Sequence, residues 1–108
     1  MGTTRALAGE VIDISPFGSA LPGTATAILV KTETLEVIRL VVLAGRQVAE
    51  HRAKGVITVQ CLEGSVQFTV GDEPRRLDAG GLLYLPKGER HALLGIHDAS
   101  LLVTIMLG

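Results

Sequence analysis

Three histidines, one cysteine and one tyrosine hold most of the reactive chemistry in this chain. Imidazole titrates near neutral pH, so a single histidine can serve as a general base, and neutral imidazole is a common metal ligand. His97 stands between Ile96 and Asp98 in a stretch that reads as a turn, and is expected as an exposed loop side chain. Cys61 has no neighbouring base in sequence to favour a thiolate and reads as a small buried hydrophobe. The ring of Tyr84 suits a cavity wall, a core position or a subunit interface equally well. Arg39 interrupts an apolar run and is read as reaching solvent along its aliphatic stem, in preference to a carboxylate across a pocket. No Ser-His-Asp or Cys-His spacing can be recognised.

The elements that must position these groups are strands. Residues 27–31 and 35–43 are short runs rich in Val, Ile and Leu. Residues 57–61 and 66–70 each alternate apolar with polar side chains, the pattern of a half-buried strand. Leu62-Glu63-Gly64-Ser65 between them is read as the tight turn of a hairpin, and Gly71-Asp72-Glu73-Pro74 as a further turn flanked by the solvated pair Arg75-Arg76. A strand over 81–85 stops at Pro86, and strands over 91–94 and 101–107 flank a turn at 95–100. Residues 1–23 read as a short strand followed by an irregular arm, and residues 24–108 as the folded barrel. No amphipathic helix of ten residues or more is visible. Short strands every 8–12 residues with turn residues between them predict an all-β sandwich or closed barrel. Closure would also remove exposed strand edges.

Two segments carry a longer-range pattern. Gly45 is followed after five residues by His51, and Gly64 lies further on; Gly80 is followed after five residues by Pro86, then Gly88 and His91. Over residues 45–91 this resembles the two motifs of the cupin superfamily, G-x5-H-x-H-x3-4-E-x6-G and G-x5-P-x-G-x2-H. The second is matched at each of these positions; the first keeps both glycines and the leading histidine. The resemblance implies a double-stranded β-helix, or jelly-roll cupin barrel, of the small RmlC-like, type-2 kind. It also implies that His51 and His91 face a pocket at the positions of two metal ligands. The other two ligand positions hold Ala53 and Ile57, so the implied metal site is degenerate. Two imidazoles hold a transition metal only weakly unless further groups join; His97, Gln60, Cys61 and Glu50 could in principle help. Cys61 shares strand parity with Ile57 and is expected to point into the barrel, completing a pocket set of His51, His91, Cys61 and Tyr84.

Composition narrows the function classes. A chain of 108 residues holds one domain, and 47% hydrophobic against 19% charged residues excludes disorder as its main state. Ten basic against eleven acidic side chains leave no excess charge to neutralise a phosphate backbone, which argues against a nucleic-acid partner. No apolar run is long enough to span a membrane, and no hydrophobic signal core follows Met1-Gly2-Thr3-Thr4-Arg5. One cysteine allows no intrachain disulfide, in keeping with a cytoplasmic protein. The high mean hydropathy points to apolar surface hidden in a homodimer, to which Val11-Ile12-Asp13-Ile14 could lend a strand. The expected function is binding of a small organic molecule in an apolar barrel pocket, with any divalent transition metal weakly held or absent. The alternatives are a metal-dependent cupin enzyme of dioxygenase, isomerase or decarboxylase type, and a structural or regulatory dimeric module.

Overall fold

The computed structural model describes residues 5–108. The reading of residues 1–4 therefore lies outside the described residues. Seven antiparallel strands follow a six-residue 3₁₀ helix at Gly18–Gly23: β1 Ala27–Lys31, β2 Leu35–Val42, β3 Gln47–Arg52, β4 Val56–Val70, β5 Glu73–Asp78, β6 Leu82–Leu85 and β7 Arg90–Met106. Among the described residues, no helix is long and apolar enough to cross a membrane. The short strand expected within residues 1–23 does not form among residues 5–23; one backbone bond, from Ala6 N–H to the Leu29 carbonyl (2.8 Å), ties the arm to β1.

Two long strands organise the sheet. β4 and β7 pair along almost their whole lengths, from Val56↔Met106 to Val70↔His91, with register shifts between Cys61 and Val66. At those bulges the ladder turns a corner. The first half of β4 and the second half of β7 are flanked by β6 and β2, and β2 carries β1 outside it. The other halves are flanked by β5 and β3. The expected hairpin at Leu62–Ser65 is thus replaced by one bent strand, with Gly64 (φ 74°) supplying the bulge rather than a chain reversal. The same holds for residues 95–100, which continue β7 instead of turning. Local alternation looks the same on either side of a bulge as on either side of a hairpin turn, so the two cannot be told apart by period alone.

β3 and β5 are additional to the predicted strands. Each is rich in polar side chains because each is a sheet edge. The sheet is not closed: β1, β3, β5 and β6 each have a single partner. Its edges are blunted by other means. β6 has only four residues, β5 carries Pro74, Arg75 and Arg76, and β3 carries Glu50 and Arg52.

The core lies between the inner faces of the two halves. Ile57, Val59, Cys61, Leu85, Leu101 and Ile105 from the first half meet Val66, Phe68, Leu77 and Leu93 from the second. Arg39 does not reach solvent. Its guanidinium is 3% exposed, and Nη2 donates to Glu63 Oε2 (3.3 Å), the Ser15 carbonyl (3.0 Å) and Ser100 Oγ (3.0 Å). The Phe17 ring covers it at 4.1 Å. Glu63 in turn accepts from the backbone N–H groups of Phe17 and Gly18 and from the Ser100 hydroxyl (2.6 Å). The bulge that carries Glu63 therefore also pins the N-terminal arm across β2.

Candidate ligand-binding site

A cavity of about 170 Å³ lies between the two halves of the sheet. Ile38, Leu40, Ile57, Val59, Val103 and Ile105 line it from one half. Val48, Phe68 and Leu93 line it from the other, together with His51 and His91. Among the described residues, the two imidazoles are thus the only polar side chains in its wall. A second pocket of about 310 Å³ shares Ile57 and both histidines and is bordered by Glu36, Arg52 and Lys54.

His51 and His91 are direct cross-strand partners on β3 and β7. Val48 and His51 are three residues apart, a separation that normally puts side chains on opposite faces of a strand. The register shift between them returns both to the cavity. The imidazole centroids are 4.2 Å apart, edge to face, and the His91 ring lies nearly parallel to Phe68 at 5.6 Å. His51 is exposed at the mouth, whereas His91 is 4% exposed.

Each ring is oriented by its own backbone. His51 Nδ1 lies 2.9 Å from the Ala49 carbonyl and His91 Nδ1 lies 3.1 Å from that of Glu89. A carbonyl only accepts, so in the neutral ring Nδ1 carries the proton and Nε2 the free lone pair. Burial pushes His91 below the ordinary imidazole range. The Glu89 carbonyl opposes that shift and the adjacent His51 adds to it.

The other predicted pocket residues lie elsewhere. Cys61 points inward as its parity implies, but it is fully buried outside the cavity wall, its thiol directed at the carbonyls of Glu63 and Gly64. Burial raises its pKa, which keeps it a thiol. Tyr84 is 61% exposed on β6, on the opposite face of the sheet. His97 is exposed as expected, but on β7, where Nδ1 meets Ser65 Oγ at 2.8 Å. Phe68, Ile38, Leu40 and Val103 are cavity residues that sequence reasoning treated only as strand formers.

The donor set does not fit a tightly held transition metal. Ala53 and Ile57 are both buried, Ile57 in the cavity wall itself, and neither supplies a ligand atom. Among the described residues, no group of three or more His, Cys, Asp or Glu side chains is placed to share an ion. Two imidazoles fall short of the three or four protein donors such a site needs.

No family model and no curated protein matches the chain. Solved structures do. A conserved protein of unknown function from Streptococcus pyogenes is similar over all of this chain and 96% of its own, with a TM-score of 0.76 and 19% identity. An RmlC-like cupin family protein with a double-stranded β-helix fold from Methanocaldococcus jannaschii matches 94% of this chain and 93% of its own (TM-score 0.74, 17% identity). A cupin superfamily protein from Desulfitobacterium hafniense matches 77% and 76% (TM-score 0.73, 19% identity). The likeness is one of fold, and this chain has the fold of a small cupin domain.

Proposed function

We propose that the chain binds a small, largely apolar organic molecule in the cavity between the sheet halves. The observation that carries this reading is the wall: nine aliphatic or aromatic side chains and two histidines around about 170 Å³. An apolar cavity of roughly 150 Å³ is known to admit benzene. A single six-membered ring with a small substituent is therefore the scale of ligand that fits. Burying seven carbons at about 0.8 kcal/mol each gives about 5.6 kcal/mol, a Kd of roughly 0.1 mM for a simple hydrocarbon probe. Toluene is expected to bind with a Kd of about 0.1–1 mM by calorimetry. Val103→Phe, which puts a ring into that space, is expected to weaken toluene at least about tenfold while the protein stays folded. Equal affinity in the two proteins would place the ligand elsewhere.

A second observation favours pairing of two copies. Val56 and Met106 are cross-strand partners, and Tyr84 and Leu82 sit opposite Thr58 and Gln60 on the same face of β4. All four apolar side chains are between 41% and 67% exposed. We propose that a second chain covers this face. Light scattering is expected to give about twice the 11.3 kDa of one chain, and Leu82→Glu with Tyr84→Glu to return the single-chain mass. A single-chain mass for the unaltered protein at micromolar concentration would contradict the pairing.

A further inference from the structure

We infer that the polar end of the ligand is a neutral hydrogen-bond donor: a hydroxyl donating to Nε2 of His51 or His91, or an amino group whose two N–H bonds serve both. The inference rests on the cavity-binding reading and adds the chemistry of the ligand to it. Both Nδ1 atoms are committed to backbone carbonyls, at 2.9 Å and 3.1 Å. That commitment fixes the tautomer of the neutral rings and leaves two acceptors, Nε2 of each, without a protein partner among the described residues. The ring centroids are 4.2 Å apart, and both rings line the same cavity. Among the described residues, every other side chain lining this cavity is a hydrocarbon, and the donors Arg52 and Lys54 border only the adjoining pocket. Such a site takes a phenol, an alcohol or an aromatic amine. Its interior disfavours a ketone or an ester of the same size, whose oxygens would face lone pairs. A charged ammonium also donates, but the hydrocarbon wall penalises its desolvation.

Phenol and toluene form a nearly isosteric pair that separates the two levels of the argument. Calorimetric titrations at about pH 8, above the ordinary imidazole range, compare them in the unaltered protein and in a variant with His51→Leu and His91→Phe. The phenylalanine keeps a ring against Phe68. In a cavity with no acceptor, burying the phenol hydroxyl without a partner favours toluene about tenfold or more. The expected result is that phenol binds at least as tightly as toluene to the unaltered protein, and that the ratio falls about tenfold or more in the variant. A toluene preference of about tenfold in the unaltered protein overturns the donor assignment and leaves the cavity reading standing. A phenol-to-toluene ratio that is the same in the two proteins overturns it as well. Failure of both probes to bind at millimolar concentration overturns the cavity reading and the inference with it. The comparison within the unaltered protein stands even where the variant does not fold.

Discussion

Glu63→Leu is expected to cost the fold about 3–5 kcal/mol, more than removal of its cationic partner. Arg39 is 3% exposed, its Nη2 already serves three acceptors, and its Nε is buried without a partner. Taking away Glu63 leaves a buried guanidinium without a counter-charge and frees the Phe17 and Gly18 N–H groups and the Ser100 hydroxyl. Arg39→Leu removes the buried charge itself, and the remaining carboxylate keeps three donors and some contact with solvent, so a cost of about 1–3 kcal/mol is expected. The double variant should recover part of the Glu63→Leu loss, since apolar replacements of buried ion pairs are often near neutral. Denaturant unfolding of the four proteins closes the cycle. Arg39→Leu proving costlier than Glu63→Leu would contradict this ordering. The same pair gives a pH dependence. Burial alone would raise the Glu63 carboxyl, but the Ser100 hydroxyl, two backbone N–H groups and Arg39 together hold it below its ordinary value of 4.5. A carboxylate depressed in the folded state contributes stability that is fully present above that ordinary value and lost as pH falls through the folded one.

Gly64→Ala should be comparably severe, at about 3–5 kcal/mol. Gly64 sits in the left-handed region (φ 74°), and a Cβ there would run into the Asp98 carbonyl oxygen and lie 2.7 Å from its carbon. The obstruction is backbone of the paired strand and has no flexible end to move. Gly71 is the control. Its φ is 61°, but nothing lies within 4 Å of a Cβ, so Gly71→Ala should cost only the left-handed penalty of about 1–2 kcal/mol. Thermal melts of the two variants make the comparison. Equal losses would mean that the crowding at the bulge does not matter and that Gly64 is an ordinary turn residue.

That contrast marks where the sequence is informative. Alternation located most strand segments, and the spacing of Gly45, His51, Pro86, Gly88 and His91 pointed to the fold and to the histidine pair. The role of Gly64 was harder to read, because a positive-φ glycine between two alternating runs suits a hairpin or a bulge equally, and only the shared partner β7 decides between them. β3 was invisible because an edge strand that is mostly solvated has no apolar period, yet its irregular register is what turns His51 inward. Arg39 reads as an interruption because its partners, Ser15, Glu63 and Ser100, are 24 to 61 residues away. Tyr84 alternates onto the face opposite Leu83 and Leu85, and parity places it outside the cavity once Leu85 is known to face the core.

In the proposed site two imidazoles present lone pairs to an apolar cavity. A long-range ¹H–¹⁵N correlation spectrum of the imidazole nitrogens at about pH 8 observes this directly. The expected pattern for both His51 and His91 is a protonated Nδ1 and an unprotonated Nε2. Addition of phenol should move the Nε2 resonances of the pair and leave that of His97 in place. A proton on Nε2 of either cavity histidine, or Nε2 shifts that do not respond to phenol, would contradict the account.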